Sequence, residues 1–496
     1  MHIPLAELVL AGLEAEELHG LPAHRRIFQL IRHAILRHQL PGSAKLPSTR
    51  NLAVELGCSR NTVLAAYEQL LAEGYIVALT GSGSYVADTL PNYHGSGVPL
   101  KVGSDGNTTP RQLSRRGQKL TAVPSDRNYE IHEFVSGTND FSAFPHQLWQ
   151  RLQNKHWRFP DPAFLDYDRA GGYQPLRVAL AEYLRVSRSV RLTADQILIT
   201  GGTQQSMDLC TLLLTDGGDM VWMENPGYWG ARRIFEANDV TIRPIAVDAE
   251  GLRPDEDDLA TVPRLIYVTP SHQYPTDVVM SLSRRRLLIE FAASKGAWIL
   301  EDDYDSELRY GGRPLASLQG LDQHGRVIYL GTFSKVLYPG IRIGYIVLPE
   351  DLIEHFRIGL SDIFRPGQIA VQAALADFIQ QGHFSTHIRN LRSHYGQCRS
   401  LLQQTLQKTL LPQARLSNAD TGLHMVIHLP DHCDDNALVA TAHRHHFNIK
   451  PLSAYYVAPP VTRGIVVAYG YMPLNLIPQA AMRLAELVNN HIRGTG

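Results

Sequence analysis

A buried-strand pattern that ends in a polar turn constrains this chain more than any other feature. The run RVIYL, residues 326–330, is apolar enough to predict a buried strand, and the turn GTFS leads directly from it to Lys335. Most lysines are solvated surface charges. Here, however, hydroxyl groups precede the lysine, and Arg342 follows it beyond a Pro-Gly turn. Hydroxyls and a guanidinium suit a phosphate, so the segment predicts a phosphate-binding turn that contains a lysine.

Alternating β-prone and helical runs begin at about residue 129. This alternation favours an α/β fold with a mostly parallel sheet. The predicted strands are 196–200, 220–223, 264–269, 297–301 and 326–330. Ligands of such sheets gather at the carboxyl ends of the strands, which is where the polar clusters of this chain fall. The end of the chain predicts a smaller α+β domain, with helices at 372–381 and 385–407 and strands at 422–427 and 464–470.

Three of these polar clusters and the Lys335 segment together resemble the cofactor-binding segments of fold-type I aminotransferases, which use pyridoxal 5′-phosphate (PLP). The clusters are ILITGGTQQS at 197–206, ENPGY at 224–228 and ILEDDYDS at 299–306. The resemblance implies that Lys335 is the catalytic lysine and forms an internal aldimine with PLP. It also implies that the cofactor phosphate is held by Gly202, Thr203, Gln204, Thr332, Ser334 and Arg342.

The acidic cluster after the 297–301 strand carries a further part of this resemblance. Buried carboxylates are costly without partners, and a PLP enzyme needs one beside the pyridine nitrogen to keep the ring protonated. By the match, Asp302 pairs with the ring nitrogen, Tyr304 pairs with the phenolic oxygen and Tyr228 stacks on the ring. The neighbouring Asp303 and Asp305 are expected to be solvated. The words EDDYDSE and GTFSK resemble the MocR-type regulators more than plain aminotransferases.

Two departures from the aminotransferase pattern bear on function. Aminotransferases carry an asparagine before Pro-Thr to bind the phenolic oxygen of PLP, whereas this chain has Tyr274 there, so Gln273 or His272 is expected to take that role. A late arginine usually grips the substrate carboxylate, but the 464–470 strand has none and only Arg463 is near. This departure weakens the case for transamination and for an ordinary amino acid effector.

The amino-terminal region predicts three helices followed by a hairpin. Apolar residues at helical spacing between Ile27 and Ile35 predict the first helix, Ser48 is a candidate N-cap of the second, and the third runs from Ser59 to Gly74. Two β-prone runs, 75–79 and 84–87, follow. Residues 21–60 hold seven basic side chains against one acid, in a chain whose formal net charge is −1. Such a local excess predicts a phosphate-binding surface.

The words LPSTRNLAVELGCSRNTVLAAYEQLLAEGYI, residues 46–76, closely resemble the winged helix-turn-helix of the GntR superfamily. The resemblance implies that Arg50 contacts a DNA phosphate and that the recognition helix faces the major groove with Arg60, Asn61 and Thr62. Thr80 and Gly81 lie where the wing of that family meets the minor groove.

These patterns divide the chain of 496 residues into three parts. Residues 1–88 are predicted to be the winged helix-turn-helix domain, 89–127 a basic flexible linker, and 128–496 the aminotransferase-like PLP-binding domain. The four cysteines have no metal-type spacing, so we expect reduced thiols, a cytoplasmic protein and no metal site. No apolar run approaches the length of about 18 residues that a membrane span needs, so no membrane partner is expected.

The combined resemblance predicts a PLP-dependent transcriptional regulator that senses PLP, an amine or an amino acid through Lys335. It implies a head-to-tail homodimer on operator DNA with repeated half-sites, and control of vitamin B6 or amino acid and amine metabolism genes. Two alternatives stay open on the residues alone. The large domain could be an active aminotransferase with an accessory DNA-binding module, or a dimerisation domain that holds no cofactor.

Overall fold

The structure is a computed structural model that describes residues 5–13, 20–79, 81–88, 112–121, 133–158, 161–168, 170–311, 315–417 and 420–494. The chain forms two compact units, Met1–Arg111 and Gln112–Gly496. The three-part division into residues 1–88, 89–127 and 128–496 remains a prediction from the sequence. Among the described residues, no helix combines the length and the apolar character needed to cross a lipid bilayer.

The described part of the first unit contains four helices and a two-stranded hairpin. Its elements are α1 Leu5–Leu13, α2 Ala23–Leu36, α3 Thr49–Glu55, α4 Arg60–Ala72, β1 Ile76–Leu79 and β2 Gly83–Val86. The predicted N-cap Ser48 is confirmed, because its side chain accepts a hydrogen bond from Asn51 N at 3.2 Å. Ser59, where the third helix was predicted to start, is the N-cap of α4 and accepts a hydrogen bond from Thr62 N at 3.2 Å. Apolar residues of all four helices and both strands form one core. Helix α1, which the sequence pattern did not predict, adds Leu5 and Val9 to it.

The described part of the second unit contains the remaining α-helices and strands. They are α5 Arg115–Thr121, α6 His146–Arg158, α7 Gln174–Arg188, β3 Ile197–Thr200, α8 Thr203–Leu214, β4 Met220–Asn225, α9 Trp229–Ala237, β5 Thr241–Asp248, β6 Gly251–Leu252, α10 Glu256–Leu259, β7 Leu265–Val268, α11 Leu282–Lys295, β8 Trp298–Asp303, α12 Leu318–Leu321, β9 Val327–Thr332, β10 Gly344–Val347, α13 Ile353–Gly359, α14 Ile369–Gln380, α15 His383–Thr409, β11 Arg415–Leu416, β12 His424–Leu429, α16 Asp435–Arg444, β13 Lys450–Pro451, β14 Arg463–Ala468 and α17 Ile477–Gly494.

An eight-stranded sheet in the order β3-β10-β9-β8-β7-β4-β5-β6 organises this unit. The central strands β9, β8, β7, β4 and β5 are parallel, whereas β10 pairs antiparallel with both β3 and β9. Apolar clusters on the two faces of the sheet bury it on both sides, as parallel strands require. The predicted α/β class is therefore confirmed, and the carboxyl ends of the parallel strands meet at one edge.

A four-stranded antiparallel sheet in the order β11-β12-β14-β13 forms the smaller subdomain. One face of this sheet packs against a core that includes residues of α15, α16 and α17. The other face carries Val426 and Val466, which form a separate small cluster with Leu452 and Tyr455. Tyr274, from a loop of the large sheet, packs against that cluster. The two sheets of the second unit therefore meet beside this loop.

Part of the stretch predicted as a linker is ordered against the large subdomain. Helix α5 packs near α9, where Arg116 Nη1 donates a hydrogen bond to the Ala237 carbonyl at 3.2 Å and Arg233 donates to the Leu120 carbonyl. Over these residues the structure differs from the flexible linker that the composition predicted. The half-buried Leu120 and the paired arginines give the physical reason, since a short helix is stabilised mainly by its tertiary contacts.

Candidate functional site

Lys335 lies directly after β9, in a turn that apolar side chains anchor. Phe333, Val336 and Leu337 are at most 3% exposed, whereas Lys335 itself is half-buried. Burial lowers the pKa of the Lys335 amine, and the negative charges of Asp305 and Asp302 oppose this shift. A lysine with a lowered pKa carries more of the neutral amine at a given pH, and the neutral amine is the nucleophilic form.

Asn139, which the sequence analysis did not single out, fixes the backbone of the lysine turn. Its Nδ2 donates to the carbonyls of Ser334 at 3.2 Å and Lys335 at 2.7 Å. Its side chain is buried, and among the described residues its Oδ1 atom has no hydrogen-bond partner. No local sequence signal could have identified this residue, because it lies nearly two hundred positions before the lysine.

Asp302, the residue before the last of β8, lies on the same sheet face as Tyr267 of the neighbouring strand, whose hydroxyl donates to Asp302 Oδ2 at 2.7 Å. The other carboxylate oxygen, Oδ1, is buried and has no hydrogen-bond partner among the described residues. Burial raises the pKa of Asp302 to about 7; the Tyr267 hydrogen bond opposes the shift, and Asp303 and Asp305 add to it. An unpartnered buried carboxylate oxygen is expensive, so the site is suited to a cationic hydrogen-bond donor.

The expectation that Asp303 and Asp305 are solvated is wrong. Both are buried, at 4% and 2% exposure. Asp303 lies on the opposite face of β8 from Asp302 and accepts a hydrogen bond from Arg188 Nε at 2.8 Å. Asp305 Oδ2 lies 2.8 Å from His272 Nδ1. Each carboxylate has a basic partner from a distant part of the chain, and these partners offset the cost of its burial.

The residues predicted to hold a phosphate meet at one end of three adjacent strands. Gly202 has a φ of +112° and precedes α8, which begins at Thr203. A Cβ atom at Gly202 would lie 3.4 Å from Arg342 Nη1, so the glycine leaves room beside this guanidinium. Thr332 Oγ1 accepts a hydrogen bond from Ser334 N at 3.2 Å. Arg342 also lines a cavity of about 260 Å³. A helix N-terminus, an arginine and hydroxyls are the groups that phosphate sites use.

Tyr228 and Tyr304 lie on either side of Tyr274. The rings of Tyr228 and Tyr274 meet edge to face at 5.8 Å, and those of Tyr304 and Tyr274 at 6.1 Å. The Tyr228 hydroxyl is hydrogen-bonded to the side chain of Gln204, and burial raises the pKa of Tyr228. The Tyr304 hydroxyl lies 3.0 Å from His272 Nδ1. Both predicted tyrosines are therefore half-buried near the acidic cluster, but their hydroxyls already have protein partners.

The amide of Gln273 is occupied inside its own loop. Its Nε2 donates to the carbonyls of Pro226 at 2.9 Å and Tyr274 at 2.8 Å, and its Oε1 accepts from Thr276 N at 3.0 Å. The side chain is 1% exposed. These contacts stabilise the conformation of the loop. The predicted role of Gln273 at the cofactor stays a prediction.

Two histidines and two aspartates form a buried network, which we call the histidine–aspartate network: His272, Asp277, Asp305 and His424. Besides its contact with Asp305, His272 lies 2.9 Å through Nε2 from Asp277 Oδ1, and His424 Nε2 lies 2.9 Å from the same oxygen. Asp277 has a φ of +65°, a strained conformation for a residue other than glycine. The network joins loops of the large sheet to β12 of the small sheet.

The charge of His272 predicts a pH dependence of stability. Burial alone would lower its pKa, but Asp305 and Asp277 outweigh this and raise it from the ordinary value of 6.5 to about 10. A raised folded-state pKa contributes stability that is fully present below pH 6.5 and is lost as pH rises through about 10. We expect the thermal midpoint of the wild type to fall more steeply between these pH values than that of His272→Gln. Parallel curves for the two proteins would contradict this assignment.

The predicted DNA-contacting residues lie at exposed positions of the first unit. Arg50 is exposed on α3, and Arg60 and Asn61 are exposed at the first turn of α4. Thr62 is half-buried, and its Oγ1 lies 2.8 Å from Ser59 Oγ in the N-cap. Gly81 lies in the β1–β2 turn with a φ of +77°. Thr80 lies outside the described residues.

Comparisons with known proteins agree with this two-part architecture. The model of the family described as bacterial regulatory proteins, gntR family, matches residues 23–86, and that of aminotransferase class I and II matches residues 137–468. The chain is 37% identical over 449 residues to the probable rhizopine catabolism regulatory protein MocR of Rhizobium meliloti, covering 90% of each protein. It is 30% identical over 466 residues to the pyridoxine biosynthesis transcriptional regulator PdxR of Corynebacterium glutamicum, covering 94% of this chain and 95% of that protein.

Solved structures with the same fold are PLP-type aminotransferases. Kynurenine aminotransferase of Pyrococcus horikoshii matches 77% of this chain and 95% of its own, with a TM-score of 0.69 and 26% identity. The α-aminoadipate aminotransferase LysN of Thermus thermophilus, solved with a phosphopyridoxyl-leucine, matches with a TM-score of 0.70. At 24% identity, this match shows a shared fold and nothing further. With a gntR-type module and a fold-type I domain in one polypeptide, the chain belongs to the MocR-type transcriptional regulators, whose aminotransferase-like domain is of the PLP-dependent class.

Proposed function

We propose that this protein regulates transcription by binding operator DNA through its first unit and sensing a small molecule at Lys335 in its second. The effector is PLP itself or a compound with an amino group, and the regulated genes belong to vitamin B6 or amine and amino acid metabolism. PdxR and MocR, similar along most of this chain, are named as regulators of pyridoxine biosynthesis and rhizopine catabolism. Repeated half-sites in the operator, a head-to-tail homodimer and a cytoplasmic location complete the proposal.

The single observation that carries the cofactor part is the buried Oδ1 atom of Asp302, near Lys335, which has no hydrogen-bond partner in the part of the chain that the structure describes. A buried carboxylate oxygen without a partner fits the protonated nitrogen of a pyridine ring, which would supply the missing donor. The cradle formed by Gly202, Thr203 and Arg342 fits the phosphate of the same molecule. The residues present therefore fit PLP at both of its charged ends.

When bound, PLP supplies a carbonyl group that can link covalently to an amine. In this proposal, Lys335 is the amine of the protein, and its lowered pKa keeps a larger fraction of it neutral. Asp302 would hold a proton at the ring nitrogen of the bound cofactor, and Tyr228 would pack against the ring. Asn139 keeps the backbone on both sides of the lysine in place through its two carbonyl contacts.

The position of the site between the two sheets suggests how binding is transmitted. Tyr274, from the large sheet, hydrogen-bonds to Tyr455 of the small subdomain at 3.0 Å between hydroxyl oxygens. The histidine–aspartate network makes a second link between the subdomains through Asp277 and His424. An effector at Lys335 would shift the equilibrium between arrangements of these subdomains in proportion to its differential affinity for them. We propose that this shift changes the placement of the DNA-binding units.

Titration of PLP into the full-length apoprotein tests the cofactor site. Asp302→Ala is expected to weaken PLP binding by about tenfold to hundredfold, because a hydrogen bond to a charged group is worth about 1.5–3 kcal/mol. The control is Asp351→Ala, which removes an exposed carboxylate and is expected to leave the affinity unchanged. Equal PLP affinities of the wild type and Asp302→Ala would contradict the assignment of Asp302.

A second candidate function is transamination, favoured by the presence of Lys335, Asp302 and Arg342 on an aminotransferase fold. The two functions differ in their products. Transamination converts its substrate to a keto acid or an aldehyde, whereas a sensor releases its effector unchanged. Steady formation of such a product by the PLP-loaded protein would favour the enzyme over the sensor.

A further inference from the structure

We infer that the effector recognised beside Lys335 is a primary amine that carries no carboxylate group. This inference rests on the proposed function and narrows its effector class. It follows from the side chains that the small sheet presents towards Tyr274 and from the carboxylates buried beside them.

The face of the small sheet that meets Tyr274 is apolar at its centre. Val426 and Val466 are directly paired across β12 and β14, and both are fully buried. They pack with Tyr455, whose hydroxyl meets that of Tyr274. An amino acid ligand needs a cation for its carboxylate, and a guanidinium is the group best suited to it. Valines and phenols offer no such charge.

The arginine on β14 is already paired with an aspartate. Arg463 Nη1 lies 3.4 Å from Asp435 Oδ1 at the start of α16. Lys450, paired with Val466 from the edge strand β13, shares the valine face of the sheet, but it already takes part in another interaction. Arg342 lies with Gly202 on the phosphate side. None of these cations is placed as a free partner for a ligand carboxylate at the centre of the site.

The ionisable groups around the site include two buried carboxylates of the network, each already paired with a histidine. Asp277 and Asp305 are buried, and the negative charge of Asp305 acts on the amine of Lys335. His272 between them supplies one positive charge, because its pKa is raised to about 10. A ligand carboxylate beside Asp277 and Asp305 would meet groups of like charge, whereas an ammonium group or a hydroxyl would not.

The ring nitrogens of the network indicate hydrogen bonding and not metal coordination. Ligand atoms of His272, Asp277 and His424 lie within 4.8 Å of one another, a spacing that a metal could use. However, Nε2 of His424 faces two acceptors, Asp277 Oδ1 at 2.9 Å and the Pro275 carbonyl at 3.1 Å. A nitrogen that faces two oxygen acceptors carries a proton, so its lone pair is not available to a metal. The network is therefore interpreted as a hydrogen-bonded link between the two sheets.

Matched pairs of ligands test this inference on the PLP-loaded full-length protein. The probes are ethanolamine with glycine, 2-amino-1-propanol with alanine, and 3-amino-1-propanol with β-alanine, in which a hydroxymethyl group replaces the carboxylate. Binding is measured by calorimetry and by the change in visible absorbance. We expect the amino alcohol to bind at least about tenfold more tightly in at least one pair. Tighter or equal binding of the amino acid in every pair, or no binding by any probe, would overturn the inference.

Variants of the small sheet sharpen the test. Val466→Arg places a cation on the buried face and is expected to shift the preference towards the amino acid, whereas Val461→Arg, at a position that is 78% exposed, is expected to leave it unchanged. Should Val466→Arg not fold, Lys450→Ala decides instead. An unchanged preference for the amine supports the inference, and loss of amino acid binding would overturn it by identifying Lys450 as the carboxylate partner.

Loading with PLP and binding to genomic DNA fragments are measured on the same sample before any amine is added. A preparation that loads PLP and binds DNA but prefers amino acids overturns this inference and leaves the proposed function intact. A preparation that fails to load PLP overturns both.

Discussion

Lys335→Ala is expected to abolish covalent retention of PLP and, with it, any change of DNA binding caused by an amine. The reason is that Lys335 is the amine placed beside the unpartnered oxygen of Asp302, in a turn that Asn139 and buried apolar side chains hold in place. DNA binding itself is expected to persist, because the first unit has its own core. The measurements are the visible spectrum after gel filtration and the affinity for genomic fragments with and without added amine.

Lys408→Ala is the matched control, since it removes an exposed lysine near the end of α15. It is expected to retain both the spectrum and the response. A Lys335→Ala protein that still responds to the amine would show that sensing does not pass through this lysine, and would favour a dimerisation domain without cofactor chemistry.

Arg60→Ala is expected to weaken specific DNA binding by about tenfold to hundredfold, because a contact between a side chain and a base edge is worth about 1–3 kcal/mol. Arg60 is exposed at the first residue of α4, where the Ser59 cap fixes the start of the helix. The measurement is the dissociation constant for a fragment selected by the wild-type protein, compared with that for a scrambled fragment.

Arg50→Ala separates phosphate contacts from base contacts. We expect it to weaken binding to all sequences alike and to reduce the slope of log affinity against log salt by about one. Arg389→Ala, which removes an exposed arginine on α15, is the control and should change neither quantity.

If Arg60→Ala weakened binding to the selected and the scrambled fragments equally, Arg60 would be a phosphate contact and its assignment to the major groove would be wrong.

Local patterns were sufficient to predict much of the fold. The strand before Lys335 and the Ser48 cap follow from an apolar run and from the preference of helix starts for hydroxyl side chains. The polar clusters also fall at the carboxyl ends of parallel strands, as the topology of such sheets requires. These features depend on neighbours along the chain, so the sequence contains them directly.

Contacts between distant residues account for what the sequence could not predict. Whether Asp303 and Asp305 were solvated depended on Arg188 and His272, which lie on other elements. Tyr267 is recognisable as a partner of Asp302 only when the register of β7 and β8 is known. In each case the sequence shows the residue itself, whereas its partner depends on strand pairing and on packing between distant elements.

The most direct test of the central claim is to reduce the PLP-loaded full-length protein with borohydride and to map the modified peptide by mass spectrometry. Reduction makes the link between the cofactor and its lysine permanent. The account predicts a phosphopyridoxyl group on the peptide that contains Lys335 and its absence from the same peptide of Lys335→Ala. Modification of a different lysine, or of none, would contradict it.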